Sequence, residues 1–169
     1  ELSFWEDESN LARSNDRARG NFLLARRVFA GYRRNVRLLA EGNVLPGISM
    51  VPLPGHTPGH TGYRVESEGR SALIWGDIVH FPHIQIARPD VSIAFDQDSR
   101  LAATTRSKLL DMVSSDGVIV AGMHMGEAGF AQIHRIGNTH EIGYLAAPVT
   151  GRSSLPFQDE ARSFWRGPA

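Results

Sequence analysis

Apolar positions along this chain follow two different periods. Across residues 21–40, Phe22, Leu23, Val28, Phe29, Tyr32, Val36 and Leu39 recur at steps of three and four. That spacing predicts an amphipathic helix whose apolar face packs on a sheet or caps a pocket, stopped by Gly42. Leu101, Leu109, Leu110 and Val113 predict a second helix over residues 98–113, with Asp96, Asp98 or Ser99 as its cap. Between and after these lie short runs rich in β-branched residues, at 48–53, 62–65, 71–75 and 118–121. Each reads as a strand, with Glu66-Ser67-Glu68-Gly69 as a hairpin turn. Residues 80–88 read as a loop with a short strand at 84–86, and residues 128–136 as an edge strand. Strand, helix, strand is an α/β layout. Gly, Ser and Pro accumulate after Thr150, so residues 1–150 are expected to form one domain portion and 151–169 a loose tail. Phe164 and Trp165 are the tail's candidate docking anchors.

Three of the strand-like runs stop at a glycine and deliver a metal-ligand type of side chain. The first runs into Pro54-Gly55-His56-Thr57-Pro58-Gly59-His60-Thr61, the third into Gly76-Asp77, and the last into Gly122-Met123-His124. Imidazole nitrogen and carboxylate oxygen are what a Zn²⁺-type ion takes when no thiolate is offered. None is offered here, because the chain has 0 cysteines, which also excludes disulfides. The pattern speaks for part of a metal-dependent hydrolase.

His56 in Gly-His-Thr-Pro-Gly-His-Thr, Asp77 in its strand-ending Gly-Asp and His124 in Gly-Met-His resemble the C-terminal ligand set of the metallo-β-lactamase superfamily. The spacing is most similar to the branch holding methyl parathion hydrolase and the quorum-quenching lactonases. That resemblance implies half of a four-layer αββα sandwich. It implies two divalent metal ions, zinc foremost, with His56 on one, His124 on the other and Asp77 bridging both. It implies cleavage of a lactone, ester or phosphotriester by attack of a metal-bound hydroxide, with Asp77 and His80 in catalytic roles. His80 stands where many lactonases of the family carry a substrate-contacting Tyr. It is read as a hydrogen-bond donor or proton shuttle, or else as pocket lining beside Phe81, His83, Ile84 and Phe95. His60 is expected to hydrogen-bond its own loop so that His56 is aimed.

The family's opening signature, His-x-His-x-Asp-His, does not occur among the 169 residues. The chain is therefore expected to be the C-terminal half of a longer hydrolase, exposing an apolar sheet face. Homodimerisation or association with the missing half would cover that face. Two alternatives stand beside this reading: a catalytically incomplete module acting by partner binding, and a thioester hydrolase of the glyoxalase-II kind. Charge is balanced, 18 basic against 18 acidic residues, so neither nucleic acid nor membrane is expected as partner. The arginines at 26, 27, 33, 34 and 37 read as a solvated helix face, and His134 and His140 as surface residues. The carboxylates Asp96, Asp98, Asp111 and Asp116 show no spacing for an acid–base dyad.

Overall fold

The computed structural model describes residues 1–39, 42–127 and 129–145. Within them, seven strands form one sheet in chain order: β1 (Asn43–Leu45), β2 (Ile48–Pro52), β3 (Thr61–Ser67), β4 (Arg70–Ile74), β5 (Ile119–Ala121), β6 (Phe130–Ile136) and β7 (Thr139–Tyr144). All neighbours are antiparallel except β4 and β5, which run parallel. A parallel pair needs a long crossover. Here the crossover holds a 3₁₀ turn at Gly76–Ile78, then α4 (Pro82–Gln85) and α5 (Ser99–Asp116).

The α5 helix starts where the Asp98 side chain accepts the Leu101 N–H at 2.9 Å. Its inner face lies on the sheet. Leu109, Leu110 and Val113 meet Leu73, Val120 and Ile133 in the main core, around the fully buried Trp75. Truncating a side chain such as Leu110 would cost about 2–5 kcal/mol. The core thus fixes the ends of β4 and β5 against one helix, the arrangement that positions the site.

Among the described residues, the opposite sheet face is largely open. Register pairs Met50 with Tyr63, Tyr63 with Ile74, Ile74 with Ala121, and Ala121 with Phe130. This gives an apolar row across five strands, in which Tyr63 is 41%, Ile74 47% and Phe130 51% exposed. Among the described residues, one sheet with α5 packed on one face is half of the four-layer sandwich.

The N-terminal segment folds into α1 (Leu2–Glu6), α2 (Glu8–Arg13) and α3 (Asp16–Tyr32), followed by a 3₁₀ turn at Arg33–Asn35. The helix anticipated over residues 21–40 is thus shifted toward the N-terminus. The Asn15 side chain caps it by accepting the Ala18 N–H at 2.9 Å. Trp5, Leu11 and Phe22 form a small separate core. Arg26 is not simply solvated: it donates to the Trp5 and Glu6 carbonyls and pairs with Glu8 at 2.7 Å, tying α3 to the first two helices.

Three further expectations need correction. Residues 84–86 are not a strand. Pro82 opens a helical turn there, and the buried Gln85 side chain accepts the N–H groups of His80 and Phe81. Neither is β6 an edge, because β7 pairs along it through the two-residue Gly137-Asn138 turn. His140 lies on β7 with only 6% exposure, whereas His134 is exposed as anticipated. The expected tail, 151–169, lies outside the described residues. No helix among the described residues is long and apolar enough to cross a membrane.

Candidate metal centre

The loop carrying His56 is pressed onto the start of α5. Asp98 and Gln97 donate their N–H groups to the Gly55 and His56 carbonyls at 3.0 Å, and the Thr105 hydroxyl donates to Pro54 O at 2.7 Å. Gly55 has φ +131°, and a Cβ there would lie 2.3 Å from the Ala102 nitrogen. Only glycine fits so close an approach.

His56 is thereby brought to Asp96, whose Oδ1 lies 3.0 Å from its Nδ1. An ionised carboxylate only accepts, so Nδ1 carries the hydrogen and Nε2 presents a lone pair. That Nε2 faces Asp77 Oδ2 at 3.8 Å. Asp96 is itself fixed by the Ile93 N–H at 3.2 Å and by Arg106 at 3.5 Å. Arg106 is wholly buried and also donates to the carbonyls of Ile78 (2.6 Å), Pro89 (2.7 Å) and Val91 (3.0 Å). Burial pushes the Asp96 carboxyl up. The hydrogen bond from His56, the Ile93 N–H and the Arg106 charge outweigh it, holding the group below the usual carboxylate range.

Asp77 sits in the 3₁₀ turn after β4, and His60 holds it there. His60 Nε2 accepts the Asp77 N–H at 3.0 Å, and its Nδ1 donates to Leu53 O at 3.2 Å. A ring that accepts at one nitrogen and donates at the other is neutral. Burial above all favours that state by pushing the His60 pKa down. So His60 ties the end of β2 to the turn carrying Asp77, instead of steering His56 directly. Gly76 (φ +59°) leaves room for this ring, since a Cβ would lie 2.7 Å from its Nε2.

The Asp77 carboxylate divides between two histidines. Oδ2 faces His56, while Oδ1 lies 3.4 Å from His124 Nε2, on the turn after β5. His80 joins on the same side, its ring 3.6 Å from that of His124 and 6.3 Å from that of His56. One ligand atom from each of Asp77, His80 and His124 lies within 4.8 Å of the others. Burial above all pushes the His80 pKa down, against the pull of Asp77. Asp77 Oδ1 and His80 Nδ1 are buried and have no hydrogen-bond partner among the described residues. Such groups are normally satisfied. Nitrogen and oxygen ligand atoms gathered within 4.8 Å, with no thiolate, fit a divalent ion of the zinc class.

A cavity of about 540 Å³ opens beside His56, Asp77 and His80. Its walls are mostly apolar: Trp5 from α1, Leu24, Val28 and Phe29 from α3, and Phe95. The expectation that the N-terminal helix caps a pocket holds. Of the four residues anticipated beside His80, Phe95 lines this cavity, while Phe81 packs edge-on against the His80 ring and His83 and Ile84 are exposed on α4.

Sequence reasoning missed Asp96 and Arg106. A signal for the arginine was present, since 106 falls on the stripe of Ala102, Leu109, Leu110 and Val113. A charge at a core position of a helix needs a buried partner.

Comparison with known proteins places this geometry. The family model described as the metallo-beta-lactamase superfamily matches residues 2–124. The chain belongs to the metallo-beta-lactamase superfamily. Among solved structures, it is similar to hydrolase AbOPH of the beta lactamase superfamily, at 27% identity and TM-score 0.77, covering 87% of this chain and 53% of that one. AidC, a dizinc quorum-quenching lactonase in complex with a product, N-hexnoyl-L-homoserine, shares the fold at 17% identity and TM-score 0.79, again over 87% and 53%. A probable metal-dependent hydrolase from Staphylococcus aureus aligns at 22% identity and TM-score 0.57, over 69% of this chain and 42% of that one. No curated protein matches. The chain spans about half the length of the first two structures it matches.

Proposed function

We propose that this chain is the C-terminal half of a dinuclear metallo-hydrolase that cleaves a lactone, carboxylic ester or phosphotriester. The observation that carries the proposal is the divided Asp77 carboxylate, with Oδ2 toward His56 and Oδ1 toward His124. A carboxylate so placed suits a bridge between two cations. Divalent ions bound there, zinc foremost, would supply acidified water as nucleophile and an electrophile for the carbonyl or phosphoryl oxygen. The chain's own residues prepare the rest. Asp96 fixes the His56 tautomer, His60 holds Asp77, and the apolar cavity excludes water while accepting an acyl or aryl group.

Joined to an N-terminal half bearing His-x-His-x-Asp-His, the chain should give chelator-sensitive hydrolysis of lactones or phosphotriesters. His56→Ala should abolish that activity, and full activity in this variant would sink the proposal. The exposed apolar row through Tyr63, Ile74 and Phe130 favours a companion proposal, that a second sheet covers this face, from the missing half or from another copy.

A further inference from the structure

We infer that His80, with Asp77 and His124, forms a three-donor site complete within this chain that takes one divalent ion of the zinc or cobalt class. The inference rests on the reading above that Asp77 and His124 face a metal. It adds a ligand and removes the need for a second half to hold one ion.

Geometry supports this at each donor. Four ligands at about 2.0–2.1 Å around zinc stand roughly 3.3 Å apart, and Asp77 Oδ1 lies 3.4 Å from His124 Nε2. The His80 and His124 rings approach to 3.6 Å with a 39° tilt. The two rings are thus in contact on the same side of Asp77, and one ligand atom from each of Asp77, His80 and His124 lies within 4.8 Å of the others. Asp77 Oδ1 and His80 Nδ1 lack partners among the described residues, which leaves two buried polar atoms for an ion to satisfy. The position of His80 is also built. The buried Gln85 holds the His80 and Phe81 N–H groups at 2.7 and 2.9 Å and anchors to Val91 O at 2.9 Å. His56 lies across Asp77, on the Oδ2 side, and is not part of this set.

Two imidazoles and one carboxylate with open positions make a catalytic-type donor set. Loss of one ligand should therefore cost more than the roughly 100-fold that loss of a supporting residue costs. The test titrates the full 169-residue chain, freed of metal by chelator and dialysed, with Co²⁺ followed by visible absorption and with Zn²⁺ followed by calorimetry. Imidazole ¹⁵N shifts are recorded on the same samples. The expected result is one ion per chain, shifts of the His80 and His124 rings, and more than 100-fold weaker binding in His80→Phe. His134→Gln, an exposed position on β6 away from the site, should leave affinity unchanged. The ring shifts need no variant, so they decide the matter even where His80→Phe fails to fold. Unshifted His80 resonances, or equal affinity in a folded His80→Phe, overturn the inference while leaving Asp77 and His124 as ligands. Absence of binding by the chain overturns it too, whereas the hydrolytic proposal stands or falls separately on the joined enzyme.

Discussion

Replacing Asp96 separates two tasks that one carboxylate performs. Its Oδ1 aims His56, and its Oδ2 faces Arg106, with both Asp96 and Arg106 side chains at 0% exposure. In Asp96→Ala the guanidinium keeps three carbonyl acceptors and loses its counter-charge where water does not reach. Breaking a buried pair by removing one partner costs about 3–5 kcal/mol. The Ile93 N–H also loses its acceptor, so the upper part of that range is expected. With an m-value of about 2 kcal/mol/M, a loss of about 4 kcal/mol lowers the urea midpoint by roughly 2 M. Asp96→Asn keeps the shape and one acceptor oxygen but not the charge. Its cost should be smaller, while metal affinity on the His56 side should fall about 10–100-fold. Urea titration followed by tryptophan fluorescence reads the first effect, and zinc calorimetry on the joined protein the second. An Asp96→Ala midpoint within error of wild type would refute the reasoning, since it would mean the pair is not desolvated.

Other consequences follow from the same structure. Gly55→Ala places a methyl group against the α5 backbone at a positive φ and should cost about 3 kcal/mol or more, read as a lowered thermal midpoint. Burial, with Arg135, pushes the His140 pKa below its ordinary 6.5 against the pull of Asp111. The unfolded chain therefore takes up the proton more readily, and stability is full above that pH and falls as pH drops below it. Unfolding free energy measured from pH 8 to 5 should show a shallower acid slope in His140→Gln; an unchanged slope would contradict the assignment. The chain should self-associate through its open sheet face. Tyr63→Lys with Ile74→Glu should shift light scattering toward the monomer, and a monodisperse wild-type monomer would count against the exposed row as an interface.

Much of the site was legible because strand ends are local features. His56, Asp77 and His124 each follow an apolar run broken by glycine, so their convergence needed only those runs to end on the same side of one sheet. The parallel β4–β5 pair sets Asp77 beside His124, while β2, one strand removed from β4, brings His56. The partners of those residues were less legible, because they depend on long-range packing. Asp96 reaches His56 across 40 positions, and Arg106 reaches Ile78 across 28. The same holds for secondary structure. The Ile84–Ile86 spacing suggested a strand, but Pro82 and the Gln85 side chain favour a helical turn. The β7 strand was obscured by its polar residues, although Gly137-Asn138 is itself a hairpin signal.

Asp77 carries the central claim, and substituting it gives the most direct test. Metal content and hydrolysis of lactones and phosphotriesters should be measured on one preparation of the joined enzyme, wild type against Asp77→Ala. The wild-type enzyme should hold about two ions per chain and turn over in a chelator-sensitive way, and the variant should lose both tight metal binding and turnover. Undiminished hydrolysis in a folded Asp77→Ala enzyme would contradict it.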